Sequence, residues 1–222
     1  MIAQANIKNL PLRDDSIDMI FTDPPYLKEY LYTYEYLVLT AARVLKPGGF
    51  VLAMCGGAYL DKILQYFSST DLRYYWLYAN GMSGKKGGVV WRHSEAKNQP
   101  IQIRNKHILA YYKPDDSDRG SRAVSRTPTC SWYDGNGKNK IFHAWGQDVE
   151  SARYYIDCFT RQGDIVLDPF IGGGTTAAAC DVINRRCVSF DIDYAAAITT
   201  KYRMEQDHAY LRNLPIFNGT VT

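Results

Sequence analysis

An apolar run, Ile165-Val166-Leu167, stops at Asp168-Pro169 and is followed by Phe170-Ile171-Gly172-Gly173-Gly174-Thr175-Thr176, where helix-forming residues begin. Few chain geometries satisfy that order. A strand must end at the proline, glycines must turn the backbone tightly enough for a ligand to approach it, and a helix must open with its unpaired amides facing the same spot. At the carboxyl end of a parallel strand this is where doubly wound sheets bind nucleotides, and the helix amides suit an anionic group such as a carboxylate. Cys187–Phe190 reads as the next strand and ends at Asp191, an acid placed to accept from both hydroxyls of a ribose. The order strand, glycine-rich turn, helix, strand, acid points to a nucleoside cofactor, with an NAD site as its usual competitor.

A second turn stands near the start of the chain. Ser16 to Thr22 is a short apolar run that ends in Asp23-Pro24-Pro25-Tyr26, and it reads as a buried parallel strand because proline cannot continue one. Two prolines fix the backbone and leave the Pro24 carbonyl without a helical or ladder partner. That carbonyl and the Asp23 carboxylate become two acceptors facing one spot. Such a pair suits a planar amino group, whose protons it can hold while the nitrogen lone pair turns toward an electrophile. Tyr26 offers a flat face for stacking a base.

Between the two turns the pattern alternates strand and helix. Leu31, Tyr34, Leu37, Val38, Ala41, Ala42 and Leu45 recur at helical spacing, Lys46-Pro47-Gly48-Gly49 breaks the helix, and Phe50–Cys55 follows as a strand. Tyr59–Phe67 reads as a helix, and Leu72–Tyr78 and His107–Tyr112 as strands flanking a Gly- and Lys-rich loop. Residues 113–145 show no period and read as loop, Ser151–Thr160 and Thr175–Asn184 as helices, Asp164–Leu167 as a strand and Tyr194–Met204 as the last helix. The expected class is therefore α/β with a parallel sheet, in a single domain over residues 1–222.

Charge is unevenly spread. From Lys85 to Lys140 twelve Lys or Arg stand against five acids, a local charge of +7 in a chain whose net charge is +3, so the remainder is acidic. A basic middle segment, at about residues 80–145, suits a polyphosphate surface because neutralised phosphates release counterions, though a solvated basic loop would have the same composition. Lys85, Lys86, Arg119, Arg122 and Arg126 are the candidate phosphate contacts. The five cysteines lack metal or redox spacing and read as reduced thiols of a cytoplasmic protein. The four histidines form no metal-ligand spacing, so no metal is expected, and no apolar run is long enough to suggest a membrane span.

With both turns in hand, the chain resembles the DNA amino-methyltransferases that modify adenine N6 or cytosine N4, in the circularly permuted group where the catalytic motif precedes the cofactor motif. The resemblance covers most of the chain and implies a Rossmann-like fold, a mostly parallel sheet with one antiparallel strand. It implies that Asp23, Pro24, Pro25 and Tyr26 form the catalytic pocket. It places Asp168, Phe170, Gly172, Gly174, Thr175 and Thr176 around S-adenosylmethionine, with Asp191 on its ribose and Asp23 beside it. Leu45–Gly49 resembles the turn before the next sheet strand, and Val90-Trp91-Arg92 the segment near which the target base is held. An Asp opening the catalytic motif is typical of the adenine enzymes of this group, so methylation of adenine N6 in DNA is the expectation, with cytosine N4, an RNA amino group, or a silent nucleic-acid-binding subunit as alternatives.

The chain departs from the family pattern in three places. Gln4-Ala5 stands where the family often has an acid that contacts the cofactor. His143-Ala144-Trp145-Gly146-Gln147 replaces a His-Pro stretch that packs on the cofactor, which leaves Trp145 as the packing candidate. The target-recognition region, at most about residues 80–145, is short, so it reads few base pairs or is completed by a homodimer partner or a second subunit. The implied chemistry is direct displacement on the sulfonium methyl without a covalent enzyme intermediate, and a restriction-modification role fits it.

Overall fold

The computed structural model of the chain describes residues 1–81, 89–93, 99–103, 105–115, 124–129, 131–133 and 149–212. In chain order the elements are β1 (Ile2–Gln4), β2 (Ile17–Thr22), α1 (Leu31–Val44), β3 (Leu45–Cys55), α2 (Leu60–Ser68), β4 (Arg73–Gly81), β5 (Val89–His93) and β6 (Gln99–Ile103). They continue with β7 (Asn105–Tyr112), β8 (Ser131–Tyr133), α3 (Val149–Phe159), β9 (Ile165–Asp168), α4 (Thr175–Val182), β10 (Arg186–Asp191) and α5 (Tyr194–Arg212).

Consecutive apolar residues in β2 and β3 are explained by burial on both faces. Ile20, Val51, Ala53 and Cys55 pack to one side with Leu37, Val38 and Ala41 of α1 and Ile63 and Phe67 of α2. Met19, Phe21, Phe50, Leu52 and Met54 pack to the other, against Tyr155, Ile156 and Phe159 of α3. The strands β1, β10, β9, β2, β3, β7, β4 and β8 form one sheet in that order, and β7 alone runs against the rest. The expected mostly parallel α/β sheet with one antiparallel strand is thus observed. β5 and β6 pair separately as an antiparallel hairpin.

Local differences from the sequence reading have physical causes. Lys46-Pro47-Gly48-Gly49 does not precede β3 but lies inside it, as a bulge: Ile17 pairs with Leu45, and the next partners are Met19 and Phe50. Gly48 takes a positive φ of 79°, which glycine alone adopts without strain, and the bulge is held by bonds between Gly48 N–H and Lys113 O (2.8 Å) and between Lys113 N–H and Gly49 O (2.9 Å). The Lys46 ammonium inside it bonds both oxygens of buried Asp18 at 2.8 Å, and Asp18 also accepts from Ile165 N–H at 3.0 Å, so three central strands are tied at one edge. The stretch read as a Gly- and Lys-rich loop contains the β5–β6 hairpin, and the stretch read as loop after residue 113 contains β8. Strands as short as β1 and β8 carry too few residues for a period to show.

Candidate active site

Parallel pairing brings the carboxyl ends of β1, β10, β9, β2, β3 and β4 to one edge of the sheet, where Gln4, Asp191, Asp168, Asp23, Cys55 and Gly81 stand. Because β7 runs the other way, its first residues arrive at the same edge: His107 pairs with Cys55 and Asn105 with Gly81. The two turns singled out in the sequence follow β2 and β9, which are adjacent strands.

The glycine-rich turn is shaped from three sides. Gly172 and Gly174 have φ of 48° and 78°, and a Cβ added to Gly174 would meet the Thr200 methyl at 2.7 Å. The turn's carbonyls are held by α5, through Thr200 Oγ1 to Gly172 O (2.9 Å) and the buried Arg203 guanidinium to Gly173 O (2.7 Å). Its amides are held by β10, through Ile171 N–H to Phe190 O and Gly172 N–H to Asp191 Oδ2, both at 3.0 Å. Asp191 Oδ1 accepts from Asp193 N–H (2.9 Å), and the second lone pair of each oxygen suits a diol. Phe170 is half-buried beside this turn. Gln4 is exposed and donates to Ile192 O (3.0 Å), while Ala5 N–H donates to Asp191 O (2.9 Å), so both brace the end of β10.

Asp168, Thr175 and Thr176 are buried. The Asp168 carboxylate accepts from Thr22 Oγ1 (2.6 Å), Thr176 Oγ1 (2.5 Å) and Phe170 N–H (3.1 Å). Burial pushes its pKa up to about 6 in spite of these bonds. The Thr22 bond joins the residue just before Asp23 to the start of the glycine turn, so the two turns share one anchor.

At the Asp23–Tyr26 turn Pro24 is buried, Pro25 is exposed, and Asp23 and Tyr26 are half-buried. The Tyr26 hydroxyl donates to Asp23 Oδ1, and Gly56 lies beneath its ring. Burial and then the Asp23 charge push that hydroxyl well above its usual range, so it stays a donor. Behind it Tyr34 is fully buried and donates to Met54 O at 2.9 Å. Cys55 is also buried here, and burial followed by Asp23 raises its thiol to about 12, which leaves it protonated at neutral pH. A thiolate is the nucleophilic form, so Cys55 is chemically quiet.

Sequence reasoning missed one residue of this cluster. Lys106, at the head of β7, places its ammonium 3.0 Å from Asp23 Oδ2 and 5.1 Å from the centre of the Tyr26 ring, with its side chain only 13% exposed. Its charge was visible within the basic segment, but nothing local in the sequence shows that an antiparallel strand returns it to Asp23.

The candidate phosphate contacts fare differently. Lys85, Lys86, Arg119 and Arg122, with the stretch around Trp145, lie outside the described residues. Trp91 and Arg92 are on β5, opposite Ile101 and Pro100 of β6. Arg126 is not brought to the Asp23–Tyr26 turn: it pairs with Asp157 (2.9 Å) near the end of α3, beside the amino ends of β9 and β10 and therefore at the opposite edge of the sheet. Among the described residues no group of three or more His, Cys, Asp or Glu is gathered as a metal site would require, and no helix is long and apolar enough to cross a membrane.

The model of the DNA methylase family, the N6/N4 methyltransferases, matches residues 17–201 and so takes in both turns. The chain belongs to this family. Its relatives include the Type II methyltransferase M.HpaI of Haemophilus parainfluenzae, 28% identical over 90% of this chain and 71% of that protein. Among solved structures, M1.HpyAVI in complex with SAM superposes with a TM-score of 0.67 at 20% identity, covering 87% of this chain and 89% of the other. The PvuII DNA methyltransferase, described as cytosine-N4-specific, gives 0.71 at 15% identity, covering 91% and 87%. These two share the fold of this member of the DNA methylase family.

Proposed function

We propose that the chain transfers a methyl group from S-adenosylmethionine to the N6 amino group of adenine in DNA. The observation that carries this reading is the pair of turns on adjacent strands, one ending in an amino-accepting carboxylate and the other in a glycine cradle, joined by the Thr22–Asp168 bond. Membership of the DNA methylase family and the likeness to a SAM-bound methyltransferase support it. The order of the turns, catalytic first, supports the permuted arrangement.

The residues present fit the cofactor. The backbone at Gly172–Gly174 leaves no room for a side chain at Gly174, the amino end of α4 opens toward the turn, and the Asp191 carboxylate suits a ribose diol. When bound, S-adenosylmethionine supplies an electrophilic methyl on a sulfonium. Asp191 with Gln4 and Ala5 would fix the ribose end, and Phe170 would flank the methionine end. Asp168, Thr175 and Thr176 act by shaping the turn.

Asp23 and the Pro24 carbonyl would accept the two amino protons, which turns the nitrogen lone pair out of the ring and toward the methyl. Once the nitrogen carries its fourth bond, Asp23 is placed to take the surplus proton. Tyr26 would stack on the base, which must leave the duplex at a cost of a few kcal/mol to arrive there. The buried, protonated Cys55 gives no support to a covalent thiol intermediate. The β5–β6 hairpin, inside the basic insertion, is the candidate target-reading element. Methylation of cytosine N4 is the second reading, favoured by the fold shared with the cytosine-N4-specific PvuII enzyme.

Asp23→Ala tests the assignment. Transfer of labelled methyl groups to plasmid DNA should fall at least about a hundredfold, while cofactor affinity by calorimetry stays near that of the native chain. Retained transfer would remove Asp23 from the mechanism, and transfer to RNA but not to DNA would replace the substrate.

A further inference from the structure

Among the described residues, Lys106 is the charged group at the Asp23–Tyr26 turn to which the proposed methyl transfer gives no task. Its placement is specific. It reaches Asp23 Oδ2 at 3.0 Å, stands 5.1 Å from the centre of the Tyr26 ring, and is held on a sheet strand between β3 and β4. A base stacked on Tyr26 with its amino group on Asp23 would bring its neighbouring ring position next to the ammonium. In adenine that neighbour is an acceptor nitrogen, N1 on one edge and N7 on the other, and in cytosine it is N3. An ammonium has three donors, so one can remain on Asp23 while a second reaches the ring nitrogen.

The geometry points to Lys106 as a base-reading residue: with Asp23 it forms a donor–acceptor pair that selects an amino group flanked by a ring acceptor. The reading rests on the proposed methylation of a base amino group. Thymine would set a carbonyl against the Asp23 carboxylate, and guanine entering by its O6 edge would set a carbonyl and a ring N–H in the reversed order, so both of these presentations are rejected by unmatched polar groups. The ammonium also covers the ring lone pair nearest the amino group. That directs the methyl to the exocyclic nitrogen, which must then be activated by Asp23 and Pro24.

The test uses duplexes carrying the target site mapped on methylated plasmid, with adenine, 7-deazaadenine or 1-deazaadenine at the target. Each analogue replaces one candidate ring nitrogen by C–H; if nucleoside analysis shows cytosine to be the target, 3-deazacytosine takes their place. For the native chain, kcat/KM should fall about tenfold on one analogue, the loss expected of one hydrogen bond to a charged donor. Lys106→Met should be about tenfold slower on the natural base and should treat that base and the sensitive analogue alike, while Lys106→Arg should restore the discrimination. Cofactor binding by calorimetry checks that each variant is folded, and Lys106→Gln serves if the Met variant is not. A native chain indifferent to every analogue, or a Lys106→Met chain that still discriminates as the native one does, would overturn the assignment. If the native chain methylates no duplex at all while binding cofactor, it is the methyltransferase reading that fails.

Discussion

At neutral pH the buried Asp168 carboxylate is held ionised by three donors, yet burial keeps its pKa near 6, above the ordinary value of 3.8. The folded chain therefore binds this proton more tightly than the unfolded chain. The resulting stabilisation is complete below the unfolded value and is lost as the pH rises through about 6. A shift of about two units corresponds to up to about 3 kcal/mol. Urea midpoints should show this decline between pH 4 and pH 7 in the native chain, and Asp168→Asn should remove it. Identical pH dependence in both would place the titration elsewhere. Tyr26 makes a second test at this scale. Tyr26→Phe keeps the ring and should retain most activity, whereas Tyr26→Ala should raise the KM for DNA by the about 1–3 kcal/mol of a lost base–aromatic stack. Equal losses in both would mean that the hydroxyl on Asp23, not the ring, is what matters.

The glycine turn shows how elements fix a site that no single residue defines. β9 delivers it, β10 holds its amides, and α5 holds its carbonyls through Thr200 and Arg203. Gly174→Ala must push Thr200 away and force a non-glycine residue to a φ of 78°, so a stability loss of about 1–3 kcal/mol is expected, with weaker cofactor binding. Denaturant titration and calorimetry check the two effects; an unchanged chain would show that α5 does not clamp the turn. Both turns were legible in the sequence because strand, breaker and glycine are local signals. So was the single antiparallel strand, as an expectation carried by family resemblance. What the sequence could not show was assembled by register. Lys106 meets Asp23 across 83 positions, and Thr22 meets Asp168 across 146. The bulge at Lys46–Gly49 read as a break because proline and glycine mark both, and only the pairing of Leu45 with Ile17 separates the two. Arg126 read as a phosphate contact from its charge alone, whereas its Asp157 partner on α3 lies far off in sequence.

For the molecule as a whole, the charge of residues 85–140 is set against an acidic remainder, and Lys106 of that segment stands at the edge of the sheet that holds both turns. If that segment grips the phosphate backbone, affinity for duplex DNA must fall with salt by counterion release. A protein that neutralises about three phosphates gives a slope of about −3 in log K against log salt, a loss of tens-fold between about 50 and 200 mM. Fluorescence anisotropy with a labelled duplex measures it, and a flat dependence would detach the segment from DNA binding. The most direct test of the central claim is the identity of the modified base. The purified chain is incubated with S-adenosylmethionine and unmethylated plasmid, the DNA is digested to nucleosides, and these are identified by mass spectrometry. The account predicts N6-methyladenine; a chain that binds the cofactor yet leaves no methylated base in the plasmid would contradict it.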